Sequence, residues 1–140
     1  NGIKASGTAI QVESNDGYAG NIELNIDNGN FISNNSNVIY EYIGKGSSSQ
    51  VIALDVSGGT LVSKANKDIF RLSDSLKEYH NSFISGGNFS SDPSAYLKSG
   101  YSAILDNNVY KVTKSTMKAV IGNNLTDALE TYFSSFQQNQ

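Results

Sequence analysis

Cysteine is absent from this chain of 140 residues, which excludes a disulfide framework and a thiolate metal site. Tryptophan is also absent, and proline, histidine and arginine occur once each. A single histidine argues against a histidine metal cluster and against a Ser-His-carboxylate catalytic set. The basic residues are scattered and the net charge is -3, so a nucleic-acid-binding surface is not expected.

Long apolar runs are missing too, and no segment approaches the roughly 20 apolar residues of a membrane-spanning helix. The length fits one domain. Only 16% of the residues are charged, whereas Asn, Ser, Gly and Tyr abound, a composition typical of many extracellular β-proteins. No signal peptide is recognisable, and the chain opens on Asn1 in the middle of a pattern. We therefore expect a mature fragment of a longer, exported protein.

A repeat of about 30 residues organises the chain. Short runs of alternating apolar residues are followed by glycine and a second short apolar run, which predicts a strand, a bend and another strand. Equivalent positions are Ile22 and Ile52, Leu24 and Leu54, Ile26, Val56 and Ile84, Gly29, Gly59 and Gly87, and Phe31, Leu61 and Phe89. A second series with the same offset places Ile10, Tyr40 and Phe70 in one column and Val12, Tyr42 and Leu72 in another.

A fixed period that carries strands but no long helix is typical of a parallel β-solenoid, in which each turn of the chain forms one rung. The sequence predicts an all-β fold, a right-handed parallel β-helix of about three rungs over residues 1–100. The third rung is irregular: the offset places His80 and Ser82 in inward positions and leaves Phe83 facing outward.

The pattern changes after the third rung. Asp92 and Pro93 predict the start of a short helix over residues 93–98. Two apolar runs that flank residues 106–108 predict a hairpin, and the apolar spacing after Ser115 predicts an amphipathic helix. We interpret residues 101–140 as a cap of hairpin and C-terminal α-helix within the same domain; the alternative is a helix that binds a partner.

One segment also suggests a family. Residues 84–112 read ISGGNFSSDPSAYLKSGYSAILDNNVYKV. The run resembles a segment common in large secreted and surface-anchored proteins of Gram-positive, often gut-dwelling, bacteria, where it closes repeats of the pectate-lyase-like parallel β-helix. Asn88 replaces the usual threonine. The resemblance implies the fold and an extracellular, cell-surface location, and it implies little about chemistry because most members carry no assigned activity.

Some parallel β-helices degrade polysaccharides, so paired carboxylates deserve a test. Inverting glycosidases hold two carboxyl groups about 6.5–9.5 Å apart. Glu23, Asp27 and Asp55, beside Asn25, are the best candidates for catalytic residues. A solvated strand face explains the same residues more simply. Arg71 falls in the column of Glu41, which predicts an ion pair between neighbouring rungs rather than catalysis.

Tyrosines offer one further kind of site, because sugar rings pack on aromatic faces. Tyr18, Tyr40, Tyr42 and Tyr79 are the candidates for such a platform. Tyr42 falls in the column of Leu72, so packing in the core is the fate we expect for Tyr40 and Tyr42.

These observations favour a non-catalytic spacer, display or adhesion module of a bacterial cell-surface protein, without cofactor, metal or membrane insertion. A host glycan or protein is the expected partner, and a monomer is expected. A fragment of a polysaccharide lyase or glycosidase is the first alternative. The second is a viral fibre or tailspike segment that forms a trimer through residues 115–140.

Overall fold

The computed structural model describes residues 7–14, 20–44, 52–74 and 80–116. These residues are all-β, as predicted, with a 3₁₀ turn at Ser94–Tyr96 and no α-helix among them. Their strands are β1 (Ile10–Ser14), β2 (Ile22–Ile26), β3 (Asn30–Ser33), β4 (Ile39–Ile43), β5 (Ile52–Val56), β6 (Thr60–Ser63), β7 (Phe70–Arg71), β8 (Asn88–Phe89), β9 (Tyr101–Asp106) and β10 (Val109–Lys114).

The strands form three sheets. The first has the order β1-β4-β7 and the second pairs β2 with β5, and both are parallel. The third has the order β3-β6-β8-β10-β9, in which the first three strands are parallel. Each parallel pairing joins segments that lie about 30 residues apart in the sequence.

The predicted columns of the second and third sheets are confirmed residue by residue. Ile22 pairs with Ile52, Leu24 with Leu54, and Ile26 with Val56. Phe31 pairs with Leu61, which in turn pairs with Phe89. Apolar residues therefore line up on the inner side of both sheets, where they share one core.

The predicted columns of the first sheet are wrong at its middle strand. Ile10 pairs with Ile39, an offset of 29 residues, and Ile39 pairs with Phe70, an offset of 31. The two deviations cancel between β1 and β7, so the repeat looks regular in the sequence. Because side chains alternate along a strand, this shift by one residue turns Glu41 into the core and Tyr40 and Tyr42 to the outside.

The core lies between the three sheets. Each sheet contributes fully buried residues: Ile39 from the first, Val56 from the second, and Leu61 and Phe89 from the third. Phe83 is also buried, against the predicted outward position. Its backbone carbonyl accepts a hydrogen bond from Val56, but residues 80–83 form no strand, so the alternation assumed for them does not hold.

Buried serines tie successive repeats together at the corner that follows the third sheet. Ser33 Oγ donates to the Gly7 carbonyl, and Ser63 Oγ donates to the Ser36 carbonyl at 2.8 Å. Each hydroxyl also accepts a backbone N–H from its own corner. These bonds satisfy polar backbone groups that the corner would otherwise bury unpaired.

The helix predicted over residues 93–98 is wrong, because only the 3₁₀ turn forms there. Leu97 has extended backbone angles and bridges Ile84, while Lys98 N–H donates to the Ile84 carbonyl. Hydrogen bonding to the preceding repeat thus stops the helix after one turn. Asp92 Oδ1 accepts the backbone N–H of Ser94 at 3.0 Å.

The predicted hairpin is confirmed. β9 and β10 are antiparallel, and the turn places Asn107 and Asn108 at φ of 49° and 62°. Asparagine tolerates these left-handed angles, which suit a two-residue hairpin turn. β10 also pairs antiparallel with β8 and so covers the edge of the last parallel strand. The predicted C-terminal helix lies, apart from Ser115 and Thr116, outside the described residues.

Candidate functional site

The three proposed catalytic carboxylates lie on the outer side of the second sheet and at its end. Glu23 pairs in register with Ala53, Asp55 pairs with Asn25, and Asp27 follows the last residue of β2. Glu23 and Asp27 are exposed, and Asp55 is half-buried. Glu23 and Asp55 thus point to the outside of an open sheet face rather than into an enclosed cleft.

Asp55 forms an ion pair with Lys98, a contact that the sequence did not reveal. Both side chains are 39% exposed. Residues 96–98 stack on Ile84 as a further layer of the second sheet, which brings the Lys98 ammonium to Asp55. The pair gives the best-placed carboxylate a structural role.

Replacing Asp55 with asparagine should lower the free energy of unfolding by no more than about 1 kcal/mol, because water and salt screen an exposed ion pair. Urea unfolding at low and at 1 M salt measures the effect. The difference between wild type and Asp55→Asn should shrink at high salt. An unchanged difference would mean that packing, not charge, explains the contact.

The chain's single histidine forms a buried pair with Glu41. Their side chains are 4% and 0% exposed, and His80 Nδ1 lies 2.9 Å from Glu41 Oε2. Neither atom has a further hydrogen-bond partner within the described part of the chain. The other carboxyl oxygen of Glu41 accepts the backbone N–H of Ser73 at 3.0 Å. The predicted ion pair between Glu41 and Arg71 is wrong, since Arg71 pairs in register with Tyr40.

The second imidazole nitrogen explains why this pair is structural. His80 Nε2 lies 2.6 Å from the Ile52 carbonyl oxygen, which only accepts hydrogen bonds, so Nε2 carries a proton. A general base needs that nitrogen free to take a proton from a nucleophile. Both nitrogens are occupied and buried, so this pair does not provide half of a catalytic triad.

A single proton links the two side chains. With Nε2 protonated, Nδ1 and Oε2 attract each other only if one proton lies between them, on either the imidazole or the carboxyl group. Burial raises the pKa of Glu41 above its ordinary 4.5, and the Ser73 hydrogen bond and His80 oppose that rise. The folded protein therefore holds the Glu41 proton more tightly than the unfolded chain does.

This difference predicts a pH dependence of stability. The contribution of the Glu41 proton is fully present below pH 4.5 and is lost as the pH rises through the raised pKa of the folded state. Glu41→Gln carries a neutral amide that donates to Nδ1 at every pH. The stability of wild type relative to Glu41→Gln should therefore fall as the pH rises, measured by urea unfolding from pH 4 to 9. A constant difference would contradict the prediction.

The first sheet presents an aromatic surface that the sequence interpretation missed. Tyr42 is 41% exposed and Tyr40 is half-buried, and their ring centroids lie 6.2 Å apart. The Arg71 guanidinium lies 4.6 Å from the centroid of the Tyr40 ring. Core packing was the fate expected for both tyrosines, and the shifted register of β4 overturns it. Tyr18 and Tyr79, the other candidates, lie outside the described residues.

Two cavities lie near the first sheet. One of about 390 Å³ opens beside this aromatic surface and is lined by Tyr40, Glu41, Tyr42, Ile43, Arg71, Leu72, Ser73 and Asp74. The other, of about 220 Å³, lies between the start of β7 and the 3₁₀ turn, with Asp68, Asp92 and Tyr96 among its lining residues. Neither is lined by Glu23, Asp27 or Asp55.

Within the described ranges, no group of three or more His, Cys, Asp or Glu side chains is placed to hold a metal ion. None of the helices in that same part of the chain is long and apolar enough to cross a membrane. Comparison with known proteins found no matching family model, no matching curated protein and no matching solved structure.

Proposed function

We propose that this chain is a non-catalytic module of a bacterial cell-surface protein, built as a short right-handed parallel β-helix and used as a spacer, for display or for adhesion. One observation carries the proposal. Strands about 30 residues apart pair in parallel in all three sheets, with like residues beside one another in the second and third. The resemblance of residues 84–112 to repeats of secreted Gram-positive proteins supports the location.

Repeats stacked in this way suit a spacer for a physical reason. Each repeat hydrogen-bonds to the next through its strands and buries its apolar residues against the same core. Adding a repeat lengthens such a body by about 4.8 Å without requiring a new kind of contact. Length is therefore adjustable, and stiffness follows from the continuous core.

The carboxylates give less support to the enzyme alternative. Glu23 and Asp55 stand on an outward strand face, Asp27 follows at its end, and Lys98 already engages Asp55. A hydrolase or lyase site would need its acid and base to converge on a cleft that binds the chain of sugars.

The test is a turnover assay on a panel of plant, bacterial and host polysaccharides. We expect neither reducing sugar nor unsaturated product from the wild-type protein. Product that appears with wild type and disappears with folded Asp55→Asn would overturn the proposal in favour of an enzyme. Light scattering on the same samples tests the fibre alternative, since that hypothesis requires a trimer and ours expects a monomer.

A further inference from the structure

We propose that the outer side of the first sheet binds a neutral saccharide. The surface, here called the tyrosine face, consists of Gln11, Glu13, Tyr40, Tyr42 and Arg71. The inference rests on the function proposed above and specifies its adhesive form.

Register brings these five side chains together. Gln11 pairs with Tyr40, which pairs with Arg71, and Glu13 pairs with Tyr42. Paired residues on neighbouring parallel strands share a face, and residues two apart on one strand share it as well. The tyrosine face is thus a contiguous surface across three strands.

Tyr42 supplies the stacking surface. It is the one aromatic residue among the large hydrophobic side chains that the described chain exposes, and the others, Ile32, Ile104, Leu105 and Val109, are aliphatic. The apolar C–H side of a sugar ring packs on such an aromatic ring, and the phenol hydroxyl adds a polar group at its edge. Tyr40 lies beside it at 6.2 Å and widens the aromatic surface.

Hydrogen-bonding groups flank the rings on both sides. Arg71 forms no ion pair within the described residues, and its guanidinium rests on Tyr40 with donors only. On the opposite strand, Gln11 Nε2 donates to Glu13 Oε2 at 3.1 Å, which orients an amide and a carboxylate. Sugar hydroxyls both donate and accept, so they suit a surface that has donors at one side and acceptors at the other.

Charge and volume decide between classes of ligand. The cavity beside the tyrosines has about 390 Å³ of space, within the range of about 300–1,000 Å³ found for small-molecule sites. Glu13 and Asp74 place two carboxylates near the single guanidinium of Arg71. This excess of negative charge disfavours uronic acid chains and other anionic glycans, and a neutral saccharide meets no such repulsion.

The experiment is an NMR titration of the full chain with neutral gluco-, xylo-, manno- and galacto-oligosaccharides, and with oligogalacturonate as the acidic probe. We expect shifts confined to β1, β4 and β7 with at least one neutral series. Tyr42→Ala should weaken the binding about tenfold or more, whereas Tyr42→Phe should retain most of it. Leu105→Ala is the matched control, because it shortens an equally exposed apolar side chain on β9 and should change nothing.

Four results would overturn the inference: no binding by any neutral series, binding of oligogalacturonate alone, shifts outside the first sheet, or full affinity in Tyr42→Ala. These results leave the non-catalytic spacer standing, provided that the polysaccharide panel shows no turnover. Turnover in that panel would overturn the proposed function whatever the tyrosine face binds.

Discussion

Replacing Gly86 with alanine is expected to lower the free energy of unfolding by about 3 kcal/mol. A Cβ atom at this position would lie 2.1 Å from the backbone carbonyl oxygen of Ser57, well inside van der Waals contact. Gly86 is buried, and the atom that it would meet is backbone, so one repeat would have to move away from the next. Urea unfolding followed by circular dichroism measures the loss.

Gly7→Ala is the control for this substitution. A Cβ there meets nothing within 4 Å, and the backbone needs no positive φ, so stability should change by less than about 0.5 kcal/mol. If Gly86→Ala unfolds like Gly7→Ala, the close approach between repeats is not a constraint on the fold.

The glycine pairs also show why the repeat was readable from sequence. The second glycine of each pair adopts positive φ, 89° at Gly59 and 101° at Gly87. The first lies against the backbone of the preceding repeat, as Gly58 does against Asp27. Two separate constraints thus recur at one place in each repeat, and apolar alternation on both sides extends them into a correct register for the second and third sheets.

The first sheet escaped prediction because alternation alone did not fix its register. In β4 the sequence IYEYI has apolar or aromatic residues at both parities except for Glu41, so a buried carboxylate competes with two buried tyrosines. Sequence rules favour burying the tyrosines. The fold does the opposite, because His80 lies nearly thirty residues beyond Ile52 and reaches Glu41 from another repeat.

The candidate site was therefore only partly accessible. Glu23 and Asp55 were correctly predicted to face outward on the second sheet, but the Lys98 contact with Asp55 depends on where the chain turns after Ile84. The tyrosine face depends on the one-residue shift of β4. Histidine and glutamate at inward positions of different repeats were the only sequence signal for that shift.

Removing the imidazole is expected to have the second large effect: His80→Leu should lower the free energy of unfolding by about 3–5 kcal/mol. The substitution leaves Glu41 Oε2 buried without its partner and leaves the Ile52 carbonyl without its donor. Leucine keeps an apolar side chain in the space, so packing loss contributes less than the unpaired polar groups. Chemical unfolding at pH 7 measures the cost.

A double-mutant cycle with Glu41→Leu separates the pair from its surroundings. In the Glu41→Leu background the carboxyl group is already gone, so His80→Leu should cost only about 1 kcal/mol, mainly from the unpaired Ile52 carbonyl. The difference between the two backgrounds is the coupling energy of the pair. Equal costs in both backgrounds would mean that Glu41 and His80 do not depend on each other. The inward position of Glu41, and with it the outward position of Tyr40 and Tyr42, would then need another cause.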